Sequence, residues 1–272
     1  MTSTILQLSE AGRTVALRDT GAGAPLVLLH GVGMQTAAWG PQIADLSRSH
    51  RVIALDLPGH GGSDPLPSGS ELPDYVAWLK AVVQALDLGS VSLAGHSMGA
   101  LIATGFAVEC PAMTRRVALL NGVYRRTPQA RAAVLARAAE IGAGQLDLAT
   151  PLARWFGETP ADISARDRVA GWLRAVDPAG YATAYGAFAR GDATYAHRLR
   201  EIACPFLAVT GDGDPNSTPA MAQEMAAQVQ HGRAIVITGH RHMVNLTAPD
   251  VVTAHLRDWL ATAPEETYHD IA

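Results

Sequence analysis

Apolar residues along this chain fall into short unbroken runs, separated by stretches with helical spacing. Pro25-Leu26-Val27-Leu28-Leu29-His30 and Arg51-Val52-Ile53-Ala54-Leu55 have almost no polar alternation, as expected of strands covered on both faces. Similar runs occur at 91–94, 116–120, 205–210 and 233–237. Between them lie helical patterns over 36–48, 72–87, 219–229 and 248–261; Val76, Leu79, Val83 and Leu86 recur at three- and four-residue intervals. Two further strands, 4–9 and 13–19, flank a turn at Glu10-Ala11-Gly12. Strands alternating with helices predict an α/β fold: a mostly parallel eight-stranded sheet with helices on both faces.

The alternation stops after the sixth strand. Residues 122–198 contain helical patches, no clear strand, and the aromatics Trp155, Phe156, Trp172, Tyr181, Tyr185 and Phe188. The expected organisation is one core domain from 1–121 and 199–272, with 122–198 inserted as a helical cap. The chain has 272 residues, within the range of a single α/β domain. A net charge of −4 argues against a nucleic-acid partner. No window of 18 apolar residues occurs, so no membrane span is expected. The first residues have neither the basic start nor the apolar core of a secretory signal. Two cysteines, Cys110 and Cys204, form no disulfide framework. These features predict a cytoplasmic protein, monomer or homodimer, acting on a small molecule. The tail after Pro264 is polar and is read as loose.

One motif carries chemistry by itself. Gly95-His96-Ser97-Met98-Gly99 follows an apolar run and opens a helical stretch, which is G-x-S-x-G in a strand–turn–helix context. A sharp turn there presents a serine hydroxyl clear of the sheet, and flanking glycines relieve backbone crowding. Serine needs a base, and the base needs a group to orient it. In an open parallel sheet such groups collect beyond the carboxyl ends of strands. Gly211-Asp212-Gly213-Asp214 follows one strand and Gly239-His240-Arg241-His242 follows another. The order Ser, Asp, His fits, with Asp212 competing against Asp214 and His240 against His242. Asp214 could instead cap the helix at 219–229. The His-x-His spacing could suggest a metal pair, but no third ligand stands out. An EF-hand loop fails, because Ser217 replaces its glycine and Gln223 its terminal glutamate.

These motifs, with His30-Gly31 and Asp56-Leu57-Pro58-Gly59-His60-Gly61, resemble the α/β-hydrolase fold from about residue 10 to 262. The resemblance implies Asp214 from Gly-x-x-Asp and His242 from Gly-x-x-His-Met. It implies a catalytic triad of Ser97, Asp214 and His242, with an oxyanion hole from the backbone N–H groups of Val32 and Met98. Here the sixth strand ends in Asn121, which cannot supply the charge some hydrolases place there. Arg154-Trp155-Phe156, Gly180 to Tyr185, Leu199 to Ile202 and His242 to Leu246 are similar to 3-oxoadipate enol-lactonases and related carboxylesterases. Ala100 departs from the second glycine common after the elbow. His30 is expected to order the oxyanion loop, His60 a turn, and His96 to pack at the elbow. His50, His197, His231, His255 and His269 are read as surface residues.

Serine at the elbow argues against haloalkane dehalogenases and epoxide hydrolases, which resemble this fold but use aspartate there. The expected activity is hydrolysis of a small carboxylic ester or lactone through an acyl-enzyme, without cofactor or metal. Alternatives on the same triad are amide hydrolysis, C–C cleavage of a diketone-like acid, and perhydrolysis. A ligand receptor that keeps the triad is the alternative of another class, and turnover separates the two. Trp155, Arg125, Arg154 and Tyr185 are candidate substrate contacts. Arg125, Arg126 and Arg154 could each hold a substrate carboxylate, or face solvent or a local acid instead.

Overall fold

The computed structural model describes residues 4–8 and 12–262; Glu10 and Ala11 of the expected turn, the tail after Pro264 and His269 lie outside them. Eight strands form one sheet: β1 (Thr4–Leu8), β2 (Arg13–Thr20), β3 (Pro25–Leu29), β4 (Arg51–Leu55), β5 (Val91–His96), β6 (Thr114–Leu120), β7 (Phe206–Gly211) and β8 (Gly232–Ile237). Their order is β1-β2-β4-β3-β5-β6-β7-β8. Only β2 runs against its neighbours; β3 to β8 are parallel.

The unbroken apolar runs divide by period two onto two cores. Val27, Leu29, Ile53, Leu55, Leu93, Val117 and Leu119 face one side, while Leu26, Leu28, Val52, Ala54, Ala118 and Leu120 face the other. The first side is covered by α2 (Leu72–Ala85) and α3 (Met98–Glu109), the second by α1 (Gly40–Leu46) and α10 (Pro249–Ala261). Each fully buried branched side chain contributes about 1.5–3 kcal/mol of transfer free energy. In α3 every residue from Met98 to Val108 is buried, which explains its lack of an amphipathic stripe.

The helix expected over 36–48 is two pieces, a 3₁₀ turn at Thr36–Trp39 and then α1. Pro41 explains the break: it lacks an N–H to donate back, and so begins the second piece rather than continuing the first. Likewise α8 (Pro219–Ala227) stops short of 229, and α9 (Val244–Thr247) precedes α10. Four helices stand between β6 and β7: α4 (Pro128–Gly142), α5 (Ala149–Trp155), α6 (Pro160–Ala175) and α7 (Pro178–Gly191). Thr127, Thr159 and Asp177 cap α4, α6 and α7 with a side-chain oxygen. The insertion packs into the same core as the first face of the sheet, through Trp155, Phe156, Leu173, Tyr181 and Phe188.

Candidate active site

The chain turns sharply where β5 meets α3. Ser97 has φ +52° and ψ −109°, a conformation that a residue with a Cβ adopts only under constraint. The constraint is visible on all sides. The Ser97 amide donates to Leu120 O at 2.9 Å. A Cβ on Gly95 would lie 2.1 Å from Gly99 O, and one on Gly99 would lie 2.3 Å from Leu29 O. A Cβ on Gly31 would come within 2.8 Å of His96 Nδ1. Backbone therefore touches backbone at the turn, and only glycine fits.

Loops beyond β7 and β8 bring two side chains to Ser97. His242 Nε2 lies 3.1 Å from Ser97 Oγ, and His242 Nδ1 lies 2.7 Å from Asp214 Oδ2. Asp214 Oδ1 accepts the amides of Asn216 (2.8 Å) and Ser217 (3.2 Å), and Oδ2 accepts Asn121 Nδ2 (2.8 Å). Burial pushes this carboxyl up. The His242 charge, its hydrogen bond, the Asn216 amide and Asn121 outweigh burial and hold it below the ordinary value. An ionised Asp214 can only accept, so His242 carries its proton on Nδ1. Its Nε2 lone pair then faces Ser97, whose Oγ–H donates to it.

The rival residues go elsewhere. Asp212 Oδ1 accepts the Gly239 amide at 2.8 Å, and His240 Nδ1 meets Thr247 Oγ1 at 2.9 Å. The cap of α8 is Thr218, not Asp214. Among the described residues no group of three or more His, Cys, Asp or Glu could hold a metal ion, and no helix is long and apolar enough to cross a membrane. Cys110 and Cys204 are unpaired, the first buried and the second half-buried.

Three histidines pin the surrounding loops. His30 Nε2 accepts the Leu57 amide at 2.9 Å, and His60 Nε2 accepts the Gly33 amide at 2.8 Å. The loops after β3 and β4 are thereby tied to each other. His96 Nε2 donates to His242 O at 2.8 Å, fixing the backbone of the residue that faces Ser97. Of the histidines read as surface residues, His197 is exposed, while His50, His231 and His255 are half-buried. Val32 lines the cavity beside Ser97. Neither the Val32 nor the Met98 N–H has a hydrogen-bond partner among the described residues. Two such donors can receive negative charge developing on a carbonyl oxygen.

Above Ser97 lies a cavity of about 470 Å³, walled by the core loops and the insertion. Trp155 stacks over His242, with centroids 5.8 Å apart and planes at 29°. Tyr181, Tyr185 and Phe188 form an edge-packed aromatic wall. Arg126, Arg137 and Arg154 also line it. Arg154 Nη1 meets Asn216 Oδ1 at 3.4 Å.

Arg125 corrects the expectation. It is exposed, lies outside the cavity lining, and its guanidinium sits 5.1 Å from the Tyr124 ring. Its backbone is left-handed, φ +43°, which turns the next residue inward instead. Arg126 is buried, its amide donates to Asp192 Oδ2 at 2.7 Å, and its Nη1 lies 3.2 Å from Asp192 Oδ1. Asn121 carries no charge, yet it donates to Asp214; its place at the strand end is the only sequence signal of that contact.

The model of the alpha/beta hydrolase family matches residues 26–255. The chain belongs to that family. This hydrolase is 51% identical over 264 residues to an (E)-2-((N-methylformamido)methylene)succinate hydrolase of Acinetobacter baylyi, covering 97% of this chain and 100% of the relative. It is 27% identical over 258 residues to a 2-(acetamidomethylene)succinate hydrolase of Mesorhizobium japonicum, covering 91% of each. Its fold superposes on the enol-lactonase of Burkholderia xenovorans with a TM-score of 0.85 at 23% identity, covering 95% of this chain and 100% of that one. The hydrolase assignment holds, and the likeness to the enol-lactonase is one of fold.

Proposed function

We propose that this hydrolase cleaves the acyl–nitrogen bond of an N-acylaminomethylene dicarboxylate, using Ser97 as nucleophile, His242 as base and Asp214 as orienter. The observation that carries the reading is the aligned Asp214–His242–Ser97 relay at the floor of a cavity walled by arginines. Two relatives named for amides of methylene succinate supply the substrate class. Residues 122–198 act as the cap that forms the cavity's outer wall.

Ser97 Oγ attacks the acyl carbon while its proton passes to His242 Nε2. The carbonyl oxygen becomes an oxyanion held by the Val32 and Met98 N–H groups; one such donor is worth about 3–4 kcal/mol in serine hydrolases. The C–N bond breaks, and His242 returns the proton to the departing nitrogen. That nitrogen is conjugated through the alkene to a carboxylate, so it leaves more readily than a simple amine. Water, deprotonated by His242, then releases the acyl group as a carboxylic acid and restores Ser97. The buried guanidinium of Arg126 and the exposed Arg154 are placed on the cavity lining to face carboxylates, and Trp155, Tyr181 and Tyr185 offer apolar cover.

The test is turnover of (E)-2-((N-methylformamido)methylene)succinate and 2-(acetamidomethylene)succinate, read by NMR as release of formate or acetate. Neutral p-nitrophenyl esters and an enol-lactone form the second arm, because the same relay serves the ester or lactone expected from sequence. Ser97→Ala should abolish all of these. Undiminished turnover by that variant overturns the mechanism. Efficient ester or lactone cleavage with no amide turnover overturns the substrate class alone.

A further inference from the structure

The contacts between the insertion and the reacting side chains converge on one short segment. α5 has seven residues, too few to be helical in water without outside partners. Its C-terminal carbonyls, which no helical N–H can reach, carry partial negative charge. One guanidinium takes up that end. Arg241 Nη1 donates to Ala153 O at 2.9 Å and to Phe156 O at 2.8 Å. Those carbonyls bracket Trp155, whose indole lies over the imidazole of His242, the residue next to Arg241. The Arg241 carbonyl in turn accepts Asn121 Nδ2 at 3.2 Å, the same amide group that donates to Asp214. A single residue thus joins the helix carrying the indole to the loop carrying the base.

We propose that Arg241 is a positioning residue that latches the end of α5, so that the Trp155 indole covers His242 while the imidazole is charged. The inference rests on His242 acting as the base proposed above. When Ser97 gives up its proton, the imidazole becomes a cation, and the face of an indole attracts a cation. The same ring keeps water from competing for that charge. With the latch released, α5 lifts from the loop, the indole leaves, and the cavity opens on that side. The bonds to Ala153 and Phe156 are to backbone, so the latch depends on the guanidinium and not on which side chains those residues carry.

The experiment is a double-mutant cycle on the full chain with Arg241→Met and Trp155→Leu, assayed on p-nitrophenyl acetate. A small neutral ester keeps the carboxylate contacts out of the measurement. Each single variant should lower kcat about tenfold with little change in KM. The double variant should fall no further than the worse single, because both remove one interaction. Additive losses, about a hundredfold in the double variant, overturn the latch. Acrylamide quenching gives an independent readout: the Trp155 signal, isolated by difference from Trp155→Leu, should become more accessible in Arg241→Met, and an unchanged signal overturns the proposal. Arg241→Lys, which keeps the charge, should recover part of kcat; if it recovers none while folding normally, the carbonyl bonds are not the cause. Ser97→Ala is run alongside: full activity there removes the base assignment itself, whereas a dead Ser97→Ala with an additive cycle removes only the latch.

Discussion

Acid should unfold this protein through three buried, neutral imidazoles. His30, His60 and His96 are buried. Burial withdraws the water that would solvate a charged ring, and pushes His30 from 6.5 to about 4 and His60 and His96 to about 3. Their hydrogen bonds agree. In His30 and His60 one nitrogen accepts a backbone amide while the other donates to a carbonyl, Gly31 O and Pro58 O respectively. A second proton would set N–H against N–H. In the unfolded chain these rings titrate near the ordinary value, so between about pH 6.5 and pH 4 the unfolded state binds protons that the folded state refuses. Stability is therefore whole above about pH 6.5 and falls as pH drops through that window. Each ring contributes about 1.4 kcal/mol per pH unit once fully engaged, so three give about 4 kcal/mol per unit near pH 5. From pH 7 to pH 5 the loss is about 2 kcal/mol per ring, roughly 6 kcal/mol in all, which is most of an ordinary domain's stability. Urea unfolding followed by tryptophan fluorescence at half-unit steps from pH 7 to 5 measures it. A slope below that of one proton per molecule between pH 6 and 5 refutes the reasoning. His60→Gln, if it folds, should remove one third of the slope.

Other perturbations probe the neighbouring contacts. Asn121→Ala removes the amide that donates to Asp214 Oδ2 at 2.8 Å, worth about 1.5–3 kcal/mol to a charged acceptor; kcat/KM should fall at least tenfold and its acid limb should move to higher pH, and an unmoved limb refutes the role given to Asn121. Gly99→Ala forces a Cβ to within 2.3 Å of Leu29 O; a cost of about 1–3 kcal/mol or more should appear as a lower melting temperature together with slower fluorophosphonate labelling of Ser97, and a variant with both unchanged contradicts the packing at the turn. Asp192→Ala leaves Arg126 without its buried acid, the two side chains being 4% and 0% exposed; destabilisation of about 3–5 kcal/mol is expected in urea titrations, and a change under 1 kcal/mol refutes it.

The sheet was readable because its strands, covered on both faces, are unbroken apolar runs such as Leu26 to Leu29 that are too short for a helix. The turn at Ser97 was readable because its glycines answer to backbone contacts, which depend little on the rest of the fold. Local pattern failed where the decision is made at a distance. Residues 125 and 126 are both arginine, and which one turns inward is set by Asp192, far along the chain. Asn121 looked inert because its partner Asp214 lies on another strand's loop. Helix ends moved for a local reason that pattern alone underweights, as Pro41 shows in splitting the stretch from Thr36 to Leu46.

The proposed mechanism divides reactivity and selectivity between different parts of the chain. Ser97, Asp214, His242 and Val32 all stand on loops of the sheet, whereas Arg126, Arg137 and Arg154 all stand in the insertion. In that mechanism the first group acts on any acyl carbon that reaches it, since proton transfer and oxyanion binding do not depend on what else the substrate carries. The second group is proposed to sense charge remote from that carbon, and such binding energy reaches kcat only when it orients the acyl group at Ser97. Absolute kcat on a neutral ester thus reports the sheet loops, and the ratio of anionic to neutral efficiency reports the insertion. Changes at Arg154 should move the ratio and spare the neutral rate. Arg241 breaks this division: it lies on a sheet loop but grips the insertion, so its loss should lower the neutral rate and leave the ratio nearly unchanged. A large shift in that ratio for Arg241→Met would place its role in substrate binding instead of in the cover over His242.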